Sequence, residues 1–229
     1  MSNEKATYVQ WDSVSKYNVN PDDGTGLKKV DFLRLQSGIT YKIRPIYQPV
    51  RFWKYFNKKD GRLRTAICAD ADTCSIRDRY PDLKKPSLRF ASVVIDRADG
   101  KVKVLEAPKM VFSPLGNHME ATGKNPGGSK DGSDFQIKVI GKGLNTRYEV
   151  TPVAVTPLTS DEMKQIQSAI GGDVKEVLSE MFKINTPEQI EKKLFGDFEA
   201  ESPTEENGNN DIPVDEPVDV TGDDASINW

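Results

Sequence analysis

Short segments in which apolar and polar residues alternate restrict the fold of this chain more than any other feature. In residues 39–44, Ile39, Tyr41 and Ile43 alternate with polar side chains, and Pro45 ends the run. Alternation at period two is typical of a half-buried β-strand, and proline is confined to strand edges or ends. Similar strands are predicted at residues 50–56, 88–96, 101–106, 135–140 and 146–152.

Turn signals indicate how these strands are connected. Asp99-Gly100 separates two apolar runs, and an Asp-Gly pair supplies the positive φ angles that a tight hairpin requires. A second hairpin is predicted at residues 141–143, which contain two glycines. No helical crossover separates the strands, so we expect a mainly β fold, an antiparallel barrel or sandwich of five or six strands.

Helical patterns occur only near the end of the chain. Thr159 and Glu162 have the spacing of a capping box, and a helix beginning there should end at Gly171. An apolar stripe predicts a second helix over residues 174–182. A third is predicted to begin after Thr186, with proline in its first turn, and to end near Gly196. We interpret these stripes as packing faces against the sheet, with a partner groove as the alternative.

We therefore divide the chain into four parts. Residues 1–38 form an N-terminal arm, 39–158 a β core, 159–196 a helical extension packed on that core, and 197–229 an acidic tail. Two long polar segments, 70–86 and 121–133, exceed the usual length of a connection. Such segments are either functional or disordered.

Charge is distributed unevenly along the sequence. The 36 residues from 194 to 229 contain eleven Asp and Glu and no Lys or Arg, whereas residues 1–193 contain 32 basic and 24 acidic residues. Residues 41–110 alone hold 17 basic and eight acidic residues. An asymmetry of this kind suggests a body that binds a polyanion, although a solvated acidic spacer is the simpler explanation of the tail.

The most basic region also contains closely spaced aromatic rings. Residues 51–59 interleave four rings with four cations, and Arg62 and Arg64 follow. Unpaired nucleic acid requires both types, since cations neutralise phosphates and rings stack on bases. We expect Arg51, Trp53 and Tyr55 to be exposed and the more apolar face, with Phe52 and Phe56, to be core; the alternative is that all four rings are core. The predicted nucleic-acid-binding residues are Arg44, Arg51, Trp53, Lys54, Tyr55, Lys58, Lys59, Arg62, Arg64, Arg89, Lys101 and Lys103.

Motifs for enzymatic chemistry are lacking. The chain has no phosphate-binding loop, no nucleophile elbow and only one histidine, so we expect no enzymatic activity. Cys68 and Cys74 have a spacing unusual for zinc, which leaves metal binding with His118 open, and we predict no cofactor. A nuclease using the carboxylates of residues 70, 72 and 78 is a weaker alternative.

The absence of a signal peptide or an apolar span, together with few cysteines, favours a soluble cytoplasmic protein.

The acidic tail ends in a short apolar tip. Residues 197–224 have too little apolar surface to fold, so we expect disorder. Asp223 and Asp224 precede Ile227 and Trp229 at the free carboxylate, a pattern typical of a linear docking peptide, although a terminal Trp also arises by chance. Tethered to a basic body, this tail should also compete weakly for the nucleic-acid groove.

An ordered set of motifs in the core resembles a known family. The set comprises YKIRP at 41–45, RFASVVIDR at 89–97, GKVKVLE at 100–106, DFQIK at 134–138 and GLNTRYEVTP at 143–152. Together with the acidic tail, it resembles the single-stranded DNA-binding proteins of tailed phages. The resemblance covers about residues 39–160.

That resemblance implies an OB-like barrel that coats single-stranded DNA in phage replication, recombination and repair. It further implies a location in the host cytoplasm, self-association along DNA through the arm, and a tail that recruits polymerase, helicase or recombination factors. Some such phage proteins hold zinc in a subdomain with Cys and His ligands, so the two cysteines here could be a remnant. The alternative functions are an RNA-binding or recombination-mediator module that loads another enzyme, or a structural or nuclease component.

Overall fold

In a computed structural model, the chain is described over residues 7–8, 30–59 and 61–196, and these residues form an antiparallel β-sheet with a few helices. The strands are β1 Thr7–Tyr8, β2 Thr40–Pro45, β3 Val50–Lys59, β4 Arg62–Cys68, β5 Ser87–Asp96, β6 Val102–Pro108, β7 Ser133–Ile140 and β8 Arg147–Val155. The helices are α1 Ile76–Arg79, α2 Lys109–Thr122, α3 Ser160–Ile170, α4 Val174–Met181 and α5 Pro187–Phe195. None of these helices has the length and apolar character needed to cross a membrane.

Strand β5 is the centre of the sheet. One of its edges pairs with β6, while the opposite edge pairs first with β3, over residues 87–91, and then with β2, over residues 94–96. From there the sheet continues in two branches: β2 pairs with β7 and β7 with β8, whereas β3 pairs with β4 and β1. All pairs of named strands are antiparallel, and the sheet does not close. The six strands predicted from alternation are therefore confirmed.

The two predicted hairpins are also present. Gly100 has φ of 70°, and its N–H donates to the carbonyl of Asp96 at 2.8 Å, which closes the β5–β6 turn. Gly141 and Gly143 have φ of 78° and 56° in the connection from β7 to β8. These positive angles are the conformations that glycine adopts without strain.

Strand β4 was not predicted, and it forms a long hairpin with β3. The register runs from Trp53 opposite Cys68 to Lys59 opposite Arg62. Gly61, with φ of 77°, follows an aspartate and completes an Asp-Gly turn signal like the one before β6. The signal was available in the sequence, but the cations of residues 62–64 obscured the alternation.

The three predicted C-terminal helices begin and end where their caps indicate. Thr159 Oγ1 accepts from the Glu162 N–H at 3.2 Å, and Glu162 Oε2 accepts from the Thr159 N–H at 2.8 Å. Thr186 and Gln189 form the same reciprocal pair at the start of α5. Gly171 ends α3 with φ of 69°. Each capping box satisfies two backbone donors that the helix itself leaves unpaired.

Helix α2 contradicts the expectation that helices occur only late in the chain. Pro114 lies inside it and removes one backbone donor, so local propensity disfavours a helix here. Tertiary packing outweighs that cost, because Val111, Phe112 and Leu115 are buried against the sheet. The helix contacts both β6 and β8, and thereby spans the gap between these two edge strands.

Helices cover the sheet in three places, each with its own apolar cluster. Helices α3 and α4 cover one face, where Phe182 stacks on Phe52 with ring centroids 4.6 Å apart. Helix α2 covers the opposite face at β2, β5, β6 and β7. Helix α5 and the segment around α1 cover the β3–β4 hairpin on that same face, where Tyr55, Ile76 and Leu194 are fully buried. The predicted helical extension therefore packs on the core.

The two long polar segments are more structured than expected. Residues 70–86 include α1, with Ile76 and Leu83 buried. Residues 121–133 begin within α2 and end in β7. Of the predicted N-terminal arm, Leu33 is buried and its N–H donates to the Val104 carbonyl at 2.9 Å, while residues 1–6 and 9–29 lie outside the described ranges.

Candidate nucleic-acid interface

The candidate interface is built on strand β3, whose alternate residues point to opposite faces of the sheet. The Phe56 face contains Val50, Phe52, Lys54, Phe56 and Lys58. The Tyr55 face contains Arg51, Trp53, Tyr55, Asn57 and Lys59. Cross-strand register adds Arg89, opposite Phe52, and Leu63, opposite Lys58, to the Phe56 face.

The expected exposure of Tyr55 is wrong. Its side chain is fully buried under α5 and α1, and Trp53 is half-buried against the same cluster, so only Arg51 of the predicted exposed set is exposed. Phe52 is core, as predicted. The sequence around β3 could not indicate this cover, because α5 lies more than 130 residues further along the chain.

Arg44 was predicted to contact nucleic acid, but its side chain is fully buried. Its Nε donates to the Thr156 carbonyl at 3.1 Å, and its other nitrogens donate to the carbonyls of Pro126 and Gly128. Burial lowers the pKa of this guanidinium, and the nearby Asp134 carboxylate partly offsets the effect. Arg44 therefore fixes the segment between α2 and β7 and is not available to a phosphate.

Two further predicted cations are held by carboxylates. Lys54 Nζ donates to both carboxylate oxygens of Glu106 at 2.8 Å. Lys103 Nζ lies 2.8 Å from carboxylate oxygens of Asp96 and Asp99. Burial is the largest single effect on Lys103 and would lower its pKa, but the bonds to both carboxylates raise the pKa overall.

Three side chains of the hairpin bind the end of helix α5. Asn57 Nδ2 donates to the Leu194 carbonyl at 3.1 Å and Lys59 Nζ to the Phe195 carbonyl at 2.8 Å, while Arg64 donates to the Gly196 carbonyl. The last carbonyls of a helix lack internal partners and carry partial negative charge. Lys59 and Arg64, both predicted to bind nucleic acid, thus stabilise a helix terminus.

Two of the predicted cations, Arg89 and Lys54, lie close to an aromatic ring that was not predicted, Phe56. The Arg89 guanidinium carbon lies 5.0 Å from the centroid of the half-buried Phe56 ring, and Lys54 Nζ lies 5.8 Å from it. Lys58 is exposed beyond Phe56, and Leu63 across the hairpin is 42% exposed. We call these residues, Lys54, Phe56, Lys58, Leu63 and Arg89, the Phe56 patch. Phe56 was expected to be core, so the ring that the structure places among cations is not one of those predicted.

The other exposed cations lie around the hairpin or far from it. Arg62 is exposed at the tip of the hairpin and Arg51 near its base. Lys101 is exposed after the β5–β6 turn, at the opposite end of β5 from Arg89. At about 3.3 Å per residue, the seven steps from Arg89 to Asp96 span roughly 23 Å. Lys101 and Lys103 therefore do not join the Phe56 patch.

No metal site is formed by the cysteines and the histidine. His118 lies on α2, where its Nε2 is 3.2 Å from Ser133 Oγ and its ring packs edge-on against Phe135. Cys68 and Cys74 lie under the segment around α1. Within residues 7–8, 30–59 and 61–196, no three Cys, His, Asp or Glu side chains are grouped so as to hold a metal ion.

The acidic residues considered for a nuclease site include one that has a structural role. Asp70 Oδ1 accepts the N–H groups of Asp72 and Thr73 at 2.8 and 3.2 Å, so this carboxylate closes a turn. The predicted docking residues Asp223, Asp224, Ile227 and Trp229 lie outside the described residues.

In comparisons with known proteins, no family model matches this chain, and no curated protein is significantly similar to it.

Proposed function

We propose that this protein is a non-enzymatic single-stranded DNA-binding protein that coats DNA with little sequence preference, and that the Phe56 patch is part of its binding surface. The observation that carries the proposal is a partly exposed aromatic ring on one sheet face, with the Arg89 guanidinium over it and the exposed Lys58 further along the same face of its strand. Cations that neutralise phosphates and a ring face that stacks on a base are the two components of non-specific single-strand recognition.

The geometry supports binding of unpaired bases. Phe56 lies midway along the hairpin, so a strand running over it would pass Lys58 on the same face and then reach the tip, where Arg62 lies on the other face. Both of these cations are exposed. A paired base offers no free face to a side chain, whereas an unpaired base can stack on Phe56. The patch should therefore favour single strands.

We propose further that the sheet is an open form of the OB-type barrel. Strand β5 pairs with two successive strands on one edge, as a strongly bent strand does, and α2 spans the gap between β6 and β8. A barrel needs its edges joined or covered. Helix α2 supplies such a cover.

The tail adds a proposed second function, recruitment of replication proteins through Asp223, Asp224, Ile227 and Trp229. Acidic residues beside an apolar tip suit a pocket with a basic rim. The described chain ends at Gly196, whose carbonyl is held by Arg64 of the hairpin. The acidic residues follow Gly196 in the sequence, so the tail is tethered to the same hairpin that carries the cations we assign to DNA. We place this activity in phage replication, recombination and repair in the host cytoplasm.

Binding to matched oligonucleotides tests the proposal. Oligo-dT, the corresponding duplex and oligo-U of equal length should be titrated over a series of salt concentrations. We expect tighter binding of oligo-dT than of the duplex, with log K falling linearly against log salt. Equal affinity for single strand and duplex, or no salt dependence, would refute it. Preference for oligo-U would favour the alternative of an RNA-binding module.

A further inference from the structure

The two cysteines of the chain lie in one apolar cluster, and both are free thiols. Cys68 ends strand β4 and is buried, whereas Cys74 is half-buried at the start of the segment that carries α1. Both pack in the cluster that contains Tyr55, with Trp53 beside them. The proposed DNA-binding activity assigns no role to this pair.

A tight turn brings the chain back over strand β4 between the two cysteines. The Cys68 thiol donates to the Asp70 carbonyl at 3.5 Å, and the Asp70 side chain accepts the N–H groups of Asp72 and Thr73. Ala71 is buried within this turn. Beyond the turn, Cys74 accepts the N–H of Arg77 through its carbonyl at 3.4 Å, which fixes it at the entry to α1.

The two thiols interact, but they differ in access. Burial raises the pKa of the Cys68 thiol well above its usual value, and the neighbouring Cys74 thiol raises it further. The buried Tyr55 hydroxyl lies beside both thiols, whose effect adds to that of burial in raising its pKa. Since the thiolate is the nucleophile, Cys68 is protected from direct attack on a reagent in solvent, whereas Cys74 is within reach of solvent.

We propose that Cys68 and Cys74 form a reversible dithiol site that a low-molecular-weight disulfide converts into an internal disulfide. In the first step, the Cys74 thiolate attacks the disulfide reagent, forms a mixed disulfide and releases one thiolate of the reagent. In the second, the Cys68 thiolate attacks the Cys74 sulfur and releases the other. Two cysteine thiols are oxidised and one reagent disulfide is reduced to two thiols, which take up the two cysteine protons.

The short separation of the cysteines favours the second step and offsets the small thiolate fraction that burial leaves on Cys68. Only five residues lie between them, and the hydrogen bonds of Asp70 already hold the turn closed in the reduced protein. A mixed disulfide at Cys74 therefore has its resolving thiol close by, so the glutathione adduct should not accumulate. This site does not depend on the proposed function, because its chemistry involves no nucleic acid.

Intact-mass spectrometry of the full-length folded protein in glutathione disulfide tests this inference. The wild-type chain should lose two hydrogens and both titratable thiols, with no persistent glutathione adduct, and reduced glutathione should reverse the change. Cys68→Ala, which lacks the resolving thiol, should retain one glutathione on Cys74, and Cys74→Ser should not react while folded.

Three results would overturn the inference. They are a stable glutathione adduct on the wild-type protein, no reaction of the folded wild-type protein, and an internal disulfide that forms only in urea. The wild-type measurements need no substitution, so a variant that fails to fold cannot obscure the outcome. Binding of oligo-dT, measured separately, would reveal a failure of the proposed function without bearing on the thiol chemistry.

Discussion

Among the described residues, we assign base stacking to Phe56, whose half-buried ring has the guanidinium of Arg89 over it and Lys54 near it. Replacing it by leucine keeps apolar bulk and removes the ring. We expect Phe56→Leu to weaken oligo-dT binding by roughly 1 to 3 kcal/mol, the usual contribution of one stacked base. The salt dependence of binding should not change, because no charge is removed.

Fluorescence anisotropy with labelled oligo-dT measures this effect, and thermal unfolding of the same variant controls for damage to the fold. Trp53→Phe is the matched comparison, because Trp53 is half-buried on the opposite face of the same strand. A Phe56→Leu variant that binds like wild type, beside a Trp53→Phe variant that binds weakly, would place the stacking surface on the Tyr55 face instead.

Tyr55 gives a prediction about stability. Its hydroxyl is buried and makes no hydrogen bond of standard geometry among the described residues, with only the weakly bonding Cys74 thiol beside it. An unsatisfied buried hydroxyl costs about 1 to 3 kcal/mol, so its removal relieves a cost. We expect Tyr55→Phe to leave the free energy of unfolding unchanged or to raise it by about 1 kcal/mol, with unchanged affinity for oligo-dT. Urea denaturation measures the first and anisotropy the second.

A clear loss of stability in Tyr55→Phe would show that the hydroxyl is bonded in the folded protein. A loss of DNA affinity without loss of stability would instead show that Tyr55 contributes to DNA binding, as was predicted from the sequence alone. The two outcomes are distinguishable because the first is measured without DNA.

At the scale of single residues, the sequence predicted which face of a strand is apolar better than it predicted which distant segments a side chain contacts. It identified Phe52 as core from the apolar character of its face, and that was confirmed. It could not foresee that Arg44 is satisfied by carbonyls from residues 126, 128 and 156, since those contacts join segments more than 80 positions away. The local sequence pattern around an arginine on a strand is the same whether its side chain is exposed to solvent or bonded to a buried loop.

At the scale of elements, the start of α3 is tied to the sheet by charged groups. Arg97 contacts the carboxylates of both Asp134 and Glu162, and Glu162 also caps the helix. Burial is the largest single effect on Glu162 and favours its neutral form, but the bonds from Thr159 and Arg97 lower its pKa overall. Its contribution to stability is thus present when the pH is well above 4.5 and disappears as the pH falls through the lowered pKa.

Glu162→Gln tests this linkage, because glutamine can still cap the helix but cannot pair its charge with Arg97. We expect the variant to be less stable than wild type by about 1 to 2 kcal/mol at pH 7. The difference should shrink as the pH falls below about 4, where the wild-type carboxylate becomes protonated. Urea denaturation at several pH values measures it, and a difference that stays constant down to about pH 3 would contradict the role assigned to the charge.

Whether a strand or helix could be predicted depends on whether the contacts that stabilise it are local in the sequence or come from distant segments. Strands with clean alternation and helices with capping boxes were predicted, because those signals are local. Helix α2 was missed, since Pro114 lowers its local propensity and its stability comes from burial of Phe112 and Leu115 against the sheet. Strand β4 was missed because two arginines interrupt its apolar pattern.

At the scale of the whole molecule, the acidic tail and the basic hairpin carry opposite charge. Lys59 and Arg64 of the hairpin bind the last described carbonyls, those of Phe195 and Gly196, and the acidic residues follow Gly196 in the sequence. A tethered acidic segment should compete at high effective concentration with phosphates for the exposed cations of the hairpin. We expect deletion of residues 197–229 to tighten oligo-dT binding and to reduce its salt sensitivity.

The same titration on full-length and shortened proteins measures the effect of the tail. Replacing its eleven acidic residues by Asn and Gln in the full-length chain is the matched control, because this keeps the length and removes the charge. Deletion and neutralisation should have similar effects. Unchanged affinity in both variants would refute competition by the tail, and binding of the isolated tail peptide to replication proteins separately tests its proposed docking.

The central claim, that the hairpin binds single-stranded DNA, is tested most directly by removing its exposed charges. The double variant Lys58→Ala and Arg62→Ala removes one exposed cation of the Phe56 patch and one at the tip of the hairpin. Its control, Lys164→Ala with Lys183→Ala, removes two exposed cations from the C-terminal helical region and changes the net charge equally.

The slope of log K against log salt for oligo-dT should become shallower by about 1.4 in the hairpin variant, or about 0.7 for each phosphate that a cation no longer neutralises. In the control variant the slope should match wild type. Equal slopes in wild type, hairpin variant and control would contradict the assignment of the hairpin as the DNA-binding surface.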